Sequence, residues 1–176
     1  KYGFDAISLM PTNLYGKGDN YHSSNSHVLP ALLDRFHKHK VEQKAYIECW
    51  GSGNPRREFM HVDDLADGVV FALQHWDPNS KKAPLDKEGN PLTILNIGTG
   101  KDISIKDLAY KISEKVGYKG KIIWDKSKPD GTPRKKLDTT KINNLGWRAK
   151  TNLEEGIKKT IKSFQNDLAK NNLRSY

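Results

Sequence analysis

Short apolar runs alternate along this chain with longer amphipathic stretches, which predicts strands alternating with helices. Residues 4–10 read as a strand that stops at Pro11. Residues 27–40 read as a helix with Val28, Leu29, Leu32, Leu33 and Phe36 on one face. Pro30 is tolerated there because it sits near the first turn. Residues 46–50 form a strand ending at Gly51. Residues 63–76 form a helix capped by Asp63 or Asp64, with Val69, Val70 and Leu73 on its buried side. A strand over 94–97 follows, then a helix over 105–116 with Leu108, Ala109 and Ile112 inward. A strand over 121–124 and helices over 139–145 and 153–164 complete the pattern. The polar tail past Asp167 is expected to fray.

This alternation argues for an α/β fold. Residues 77–92 are rich in Pro, Asn, Lys and Asp and read as a loop or insertion carrying no visible chemistry. Composition narrows the picture. Apolar residues make up 35% of the 176-residue chain, so the core is modest. The single cysteine, Cys49, excludes an intrachain disulfide and fits a reducing, cytoplasmic compartment. It sits in an apolar strand context and reads as structural. No apolar run approaches the ~20 residues of a membrane span, so no membrane partner is expected.

The net charge of +9 favours an anionic ligand. Nucleic acid is not the expected one. Lysines such as Lys106, Lys111 and Lys115 are scattered along a helix rather than interleaved with aromatics. His61-Val62-Asp63-Asp64 resembles a metal motif, but helix capping and the helix dipole explain it, and no metal is expected. Gly98-Thr99-Gly100 follows a strand, yet position 103 is Ile rather than Gly, so a strand-to-helix turn is the better reading.

Residues 8–27, SLMPTNLYGKGDNYHSSNSH, carry the most information. An apolar strand ends in a polar loop that feeds a helix, which is where open α/β sheets hold ligands. With WGSGNPRREFMHVDD at 50–64 and KPDGTPRKKLD at 128–138, this segment makes the chain resemble the C-terminal part of the GDP-L-fucose synthases. These are NADPH-dependent epimerase-reductases of the extended short-chain dehydrogenase, NAD-dependent epimerase/dehydratase family. The likeness runs nearly end to end, with the three motifs in the family's order. The family's Gly-rich cofactor turn and its Tyr-x-x-x-Lys pair are not found in this sequence. The reading is therefore a fragment without the N-terminal cofactor domain, inactive alone.

The resemblance implies the C-terminal portion of a Rossmann-like parallel sheet plus a small α/β substrate-binding lobe. Residues 1–76 would end the Rossmann-like domain, interleaved with that lobe. Residues 93–167 would form most of the lobe, and 168–176 a polar tail. Pro11, Thr12, Asn13, Leu14 and His27 would line the NADP site. From spacing alone, Asn13 is a polar turn residue and His27 a capping or surface histidine. The resemblance makes His27 the acid in epimerisation, and imidazole suits a group that gives and retakes a proton near neutrality. The matching base, a cysteine, lies upstream in the family, and Cys49 is not its equivalent. Arg35, Trp50, Arg57, Asp130 and Lys135 match the family's substrate contacts. Arginine suits a diphosphate because its planar fork pairs two oxygens. An aromatic face and a carboxylate suit guanine.

The activity so implied converts GDP-4-keto-6-deoxy-D-mannose to GDP-L-fucose with NADPH, in a protein that is a homodimer at full length. Another nucleotide-sugar epimerase or dehydratase of the same family remains open, as does a nucleotide-sugar binding module without catalysis.

Overall fold

The structure, a computed structural model, describes residues 5–174. Phe4, the first residue of the expected opening strand, lies outside the described residues, as do 1–3 and 175–176. The strand itself, β1, spans Ser8–Pro11. A short β2, Asn13–Tyr15, follows, then α1, Val28–Val41. After β3 (Tyr46–Trp50) and β4 (Arg56–His61) comes α2, Val62–His75. The second half holds β5 (Ile94–Ile97), β6 (Asp102–Ser104), α3 (Ile105–Val116) and β7 (Lys121–Asp125). It closes with β8 (Arg134–Lys135), α4 (Thr140–Leu145) and α5 (Leu153–Ala169).

Pairing is mostly parallel, as the strand-helix alternation predicts. β1 pairs with β5, β2 with β4, β3 with β7, and β8 with β4, all in parallel. Among the named strands of the described residues, β6 alone runs antiparallel, against β4. In the first pair Pro11 stands opposite Ile97, so both strands end at one level and their following turns meet. That level carries the candidate site.

Two apolar clusters hold the elements in place. Leu33 and Phe36 of α1, Leu108 and Ile112 of α3, and Ile157 and Phe164 of α5 are buried together. The faces read from helical spacing in α1 and α3 are therefore the buried ones. Met60, Ile97, Ile142 and Trp147 form the second cluster, under α2. Local signals fix the helix ends. Ser104 and Asn152 accept from the Asp107 and Glu155 amides at 3.0 and 2.9 Å. Gly117 closes α3 in the left-handed region.

Helix α2 departs from expectation. Val69, Val70 and Leu73 are exposed, at 40, 53 and 74%. The buried face is instead Asp64, Gly68 and Ala72. A side chain at Gly68 would begin 2.2 Å from Ile97 and 3.0 Å from Trp147, so close approach of the backbone decides which face turns inward. The cap is His61 rather than Asp63 or Asp64, its ring nitrogen accepting from the Asp63 amide at 3.3 Å. Asp64 is buried and accepts from the Thr151 amide and hydroxyl at 2.9 and 3.2 Å. The C-terminal segment also differs from a frayed tail. α5 runs to Ala169, Leu173 packs on the core, and the Arg174 carbonyl accepts from the Tyr21 amide at 2.9 Å.

Candidate active site

Two clefts open at the strand ends. The broader, of about 700 Å³, is walled by residues 11–20, Asn25, His27, Val62, residues 135–137 and Arg174. It contains all five residues expected to line a cofactor: Pro11, Thr12, Asn13, Leu14 and His27. The narrower, of about 240 Å³, includes Trp50, Gly53, Arg57, Phe59, Asp130 and Gly131 among its walls. Asn13, Leu14 and His27 line both. The polar loop brings His27 there because it is pinned internally. The Nδ1 of His22 accepts from the Ser24 and Asn25 amides at 3.1 and 3.2 Å, and Asn20 accepts from the His22 amide at 3.0 Å. His27 is the N-cap residue of α1, but its ring makes no capping hydrogen bond. The capping role that spacing suggested is not what holds the ring.

Glu58 ties the walls together, and no sequence signal singled it out. Its carboxylate is fully buried. It accepts from the Gly100 amide at 2.8 Å, the Thr99 hydroxyl at 3.3 Å and the Leu137 amide at 2.8 Å. Its carbonyl accepts from the Thr12 hydroxyl at 3.0 Å and the Asn13 side-chain amide at 2.7 Å. A buried carboxylate is tolerated only with donors of this kind. A side chain at Gly98 would begin 2.3 Å from the Glu58 carboxylate. The Gly98-Thr99-Gly100 turn therefore wraps a carboxylate of its own chain, which suits the turn reading and not a pyrophosphate fingerprint.

The narrow cleft is built from side chains. Asp130 accepts from the Ser52 amide at 2.8 Å and its hydroxyl at 2.6 Å. Those bonds hold its carboxyl below the usual carboxylate range. Gly51 makes this approach possible: its φ is +79°, and a side chain there would begin 2.4 Å from an Asp130 oxygen. Trp50 is 72% exposed, with the Lys128 ammonium 5.8 Å over its ring. It is a surface platform rather than a core aromatic. Arg57 spends one nitrogen on the carbonyls of Arg56 and Thr132, at 2.8 and 2.6 Å. Its other terminal nitrogen faces Gly131, where a side chain would begin 3.2 Å away.

Two of the expected substrate residues stand apart from this cleft. Lys135 pairs beside Arg57 in β8 but lines the broad cleft. Arg35 donates to the Glu48 carbonyl, two residues before Trp50 in β3, and lines a separate groove with Asp34, Lys38 and His39. Cys49 is buried in the first cluster, and that burial pushes its thiol up, as befits a structural cysteine. Among the described residues no helix is long and apolar enough to cross a membrane.

Sequence reasoning also missed Asp19, Lys136 and Arg174 in the broad cleft. Asp19 lies within the 8–27 segment but was not singled out there, and Arg174 gave no periodic or motif signal. Burial pushes the Asp19 carboxyl up, and the Asn20 amide, then His27 and Arg174, draw it back down.

Comparison with known proteins places this geometry. Residues 1–98 match the NAD dependent epimerase/dehydratase family. Over 164 residues the chain is 50% identical to "Probable GDP-L-fucose synthase 1" of Oryza sativa subsp. japonica, covering 93% of this chain and 46% of that protein. The chain thus spans about half the length of the curated relatives it matches. Among solved structures it is similar to a GDP-6-OMe-4-keto-L-xylo-heptose reductase from C. jejuni, at 33% identity and a TM-score of 0.84, over 95% of this chain and 56% of that one. A GDP-D-glycero-L-gluco-heptose synthase from Campylobacter jejuni, solved in the presence of NADPH, is 32% identical with a TM-score of 0.77. That match covers 94% of this chain and 54% of that one. Such likeness assigns the parallel strands to a Rossmann-like α/β fold.

Proposed function

The chain belongs to the NAD dependent epimerase/dehydratase family, and from that premise we propose that it forms the substrate-side half of a GDP-L-fucose synthase. The complete enzyme would convert GDP-4-keto-6-deoxy-D-mannose to GDP-L-fucose with NADPH. Residues 1–76 end the Rossmann-like domain and interleave with the lobe formed mainly by 93–167. Support comes from the similarity to GDP-L-fucose synthases and from one observation above all. His27 is the one titratable side chain that lines both clefts among the described residues.

The broad cleft suits a dinucleotide phosphate. It lies at the ends of parallel strands, and Lys17, Lys135, Lys136 and Arg174 bring positive charge to its walls. NADPH bound there supplies the hydride that reduces the keto group. Thr12 and Asn13 are held by the Glu58 carbonyl, so the wall that orients the nicotinamide end is fixed before ligand arrives. The narrow cleft suits the GDP-sugar. Arg57 faces the diphosphate, Trp50 offers its ring to the base, and Asp130, ionised and braced by Ser52, accepts from guanine or ribose donors.

The substrate ketone makes the protons on its neighbouring carbons acidic. A base from the upstream half removes one, and His27 as imidazolium delivers a proton to the opposite face of that carbon. The C–H bond broken on one face is replaced by one formed on the other; the base then releases its proton to solvent and the neutral imidazole takes one back, so no net proton is gained or lost. That His27 lines both clefts supports this role.

His27→Gln in the complete enzyme tests the reading through solvent deuterium incorporation into the sugar. Incorporation and product formation should fall by about 10²–10⁴-fold, the usual contribution of a general acid or base, while GDP affinity changes little. Wild-type turnover in the variant returns His27 to a structural role.

A further inference from the structure

We infer that Lys128 selects the base of the substrate: with guanine stacked on Trp50, the Lys128 ammonium donates to guanine O6 beside the Asp130 carboxylate. This rests on the narrow cleft as the GDP-sugar site. In the structure the ammonium stands 5.8 Å from the centre of the Trp50 ring, within cation–π range. The backbone puts it there. Trp50 stands opposite Asp125 in the parallel register of β3 and β7. The Asp125 carbonyl accepts from both the Gly51 amide, at 2.9 Å, and the Lys128 amide, at 3.2 Å. The chain after the aromatic platform and the chain that carries the lysine therefore hang on one oxygen. The Asp125 carboxylate shapes the second of these by accepting from the Ser127 amide and hydroxyl, at 2.9 and 2.6 Å. Beyond Pro129, Asp130 is fastened to the Ser52 amide and hydroxyl. Platform, ammonium and carboxylate thus come from two segments, 50–52 and 125–130, that are stitched together.

A cation next to a carboxylate reads one purine edge and rejects the other. Guanine presents an acceptor, O6, followed by two donors, N1–H and the N2 amino group. Adenine presents its N6 amino donors in place of O6, and a bare N1 acceptor after them. An ammonium can only donate, and an ionised carboxylate can only accept. Lys128 and Asp130 therefore match guanine in order, whereas adenine sets donor against donor and acceptor against acceptor. Each Asp130 oxygen keeps a second lone pair beyond its bond from Ser52. The Lys128 side chain is exposed, and its flexible stem lets the ammonium leave the Trp50 ring for the rim of a stacked base. Arg57 lines the same cleft and offers the diphosphate its planar fork, so the charge of Lys128 is left for the base.

Nucleoside diphosphates that differ only at the base separate this role from general charge. GDP, inosine diphosphate and ADP are titrated by calorimetry into the complete enzyme and its Lys128→Met variant, which keeps the reach of the side chain without its charge. Inosine diphosphate lacks the N2 amino group but keeps O6. GDP and inosine diphosphate should weaken alike, by about tenfold, the size of a hydrogen bond from a charged group. ADP should bind as well as before or better. Lys128 is exposed, so the substitution leaves the core untouched. Equal losses for all three would make Lys128 a diphosphate contact, and unchanged affinities would make it a surface cation. Either result overturns the inference and leaves the GDP-sugar site standing. A wild-type enzyme with no preference for GDP over ADP overturns the GDP-sugar reading, and this inference with it.

Discussion

The two clefts meet at His27 but are built from different material. The broad one is walled largely by strand ends and loops, with its strand-end wall pinned through the backbone carbonyl of Glu58. The narrow one is a set of side chains: Arg57 and Asp130 are placed by hydrogen bonds, Asp130 with Gly51 giving way, and Trp50 lies exposed under the Lys128 ammonium. A wall made of backbone tolerates side-chain change and fails when its pin is lost. A wall made of side chains fails one contact at a time. The two clefts should therefore answer differently to substitution, and their shared wall should answer in the chemistry rather than in either affinity.

The largest effect belongs to that shared wall. His27→Gln should cost about 10²–10⁴-fold in turnover with both ligands still bound. Loss of affinity for one ligand in proportion to turnover would assign His27 to that cleft alone. Next comes the pin. Glu58→Gln offers an amide N–H where the turn presents its own donors, and should lower unfolding stability by on the order of 3 kcal/mol. Thermal unfolding with and without each ligand would show whether the wall at residues 99–100 and 137 loosens, where the carboxylate accepts its hydrogen bonds, while the bonds of Thr12 and Asn13 to the Glu58 carbonyl stay in place.

Single-cleft changes should be smaller. Arg57→Ala should weaken GDP-sugar binding by on the order of 1–3 kcal/mol, with the difference narrowing as salt rises and NADPH affinity unchanged. Titration calorimetry at two ionic strengths checks this, and unchanged GDP-sugar affinity at low salt would make Arg57 a purely local brace. Arg174→Ala should weaken NADPH binding by only about 0.5–1 kcal/mol, as befits an exposed charge, and leave GDP-sugar binding alone. From its place in the sequence alone, Arg174 would have served as a silent control; its position on the broad cleft removes it from that use.

Much of this arrangement is legible in the sequence where one cause dominates. Helices α1 and α3 follow their apolar spacing, because their neighbours are large side chains that need large side chains in return. In α2 the same spacing misleads. Its face is chosen by the bulk of Trp147 and Ile97, which only Gly68 can approach, and no periodicity measure weights a glycine as inward. The site divides in the same way. His27, Trp50, Arg57 and Asp130 were visible through motif resemblance. Glu58 lies within the 50–64 motif but was not singled out, since a pin is defined by groups remote in sequence, such as Leu137. Arg35 lies outside the three motifs and was named only through the family's substrate contacts; its guanidinium is bonded to the Glu48 carbonyl, outside the narrow cleft.

The central claim is that two ligands occupy two clefts and meet at one histidine. Ring-nitrogen NMR of the complete enzyme, labelled at histidine and tryptophan, reads it directly when NADP and GDP are added separately and together. NADP alone should move His27 and leave the Trp50 indole in place. GDP alone should move both. The two ligands together should bind without competition and shift His27 beyond either alone. Mutual competition, or a His27 signal that answers to one ligand only, would contradict the two-cleft account.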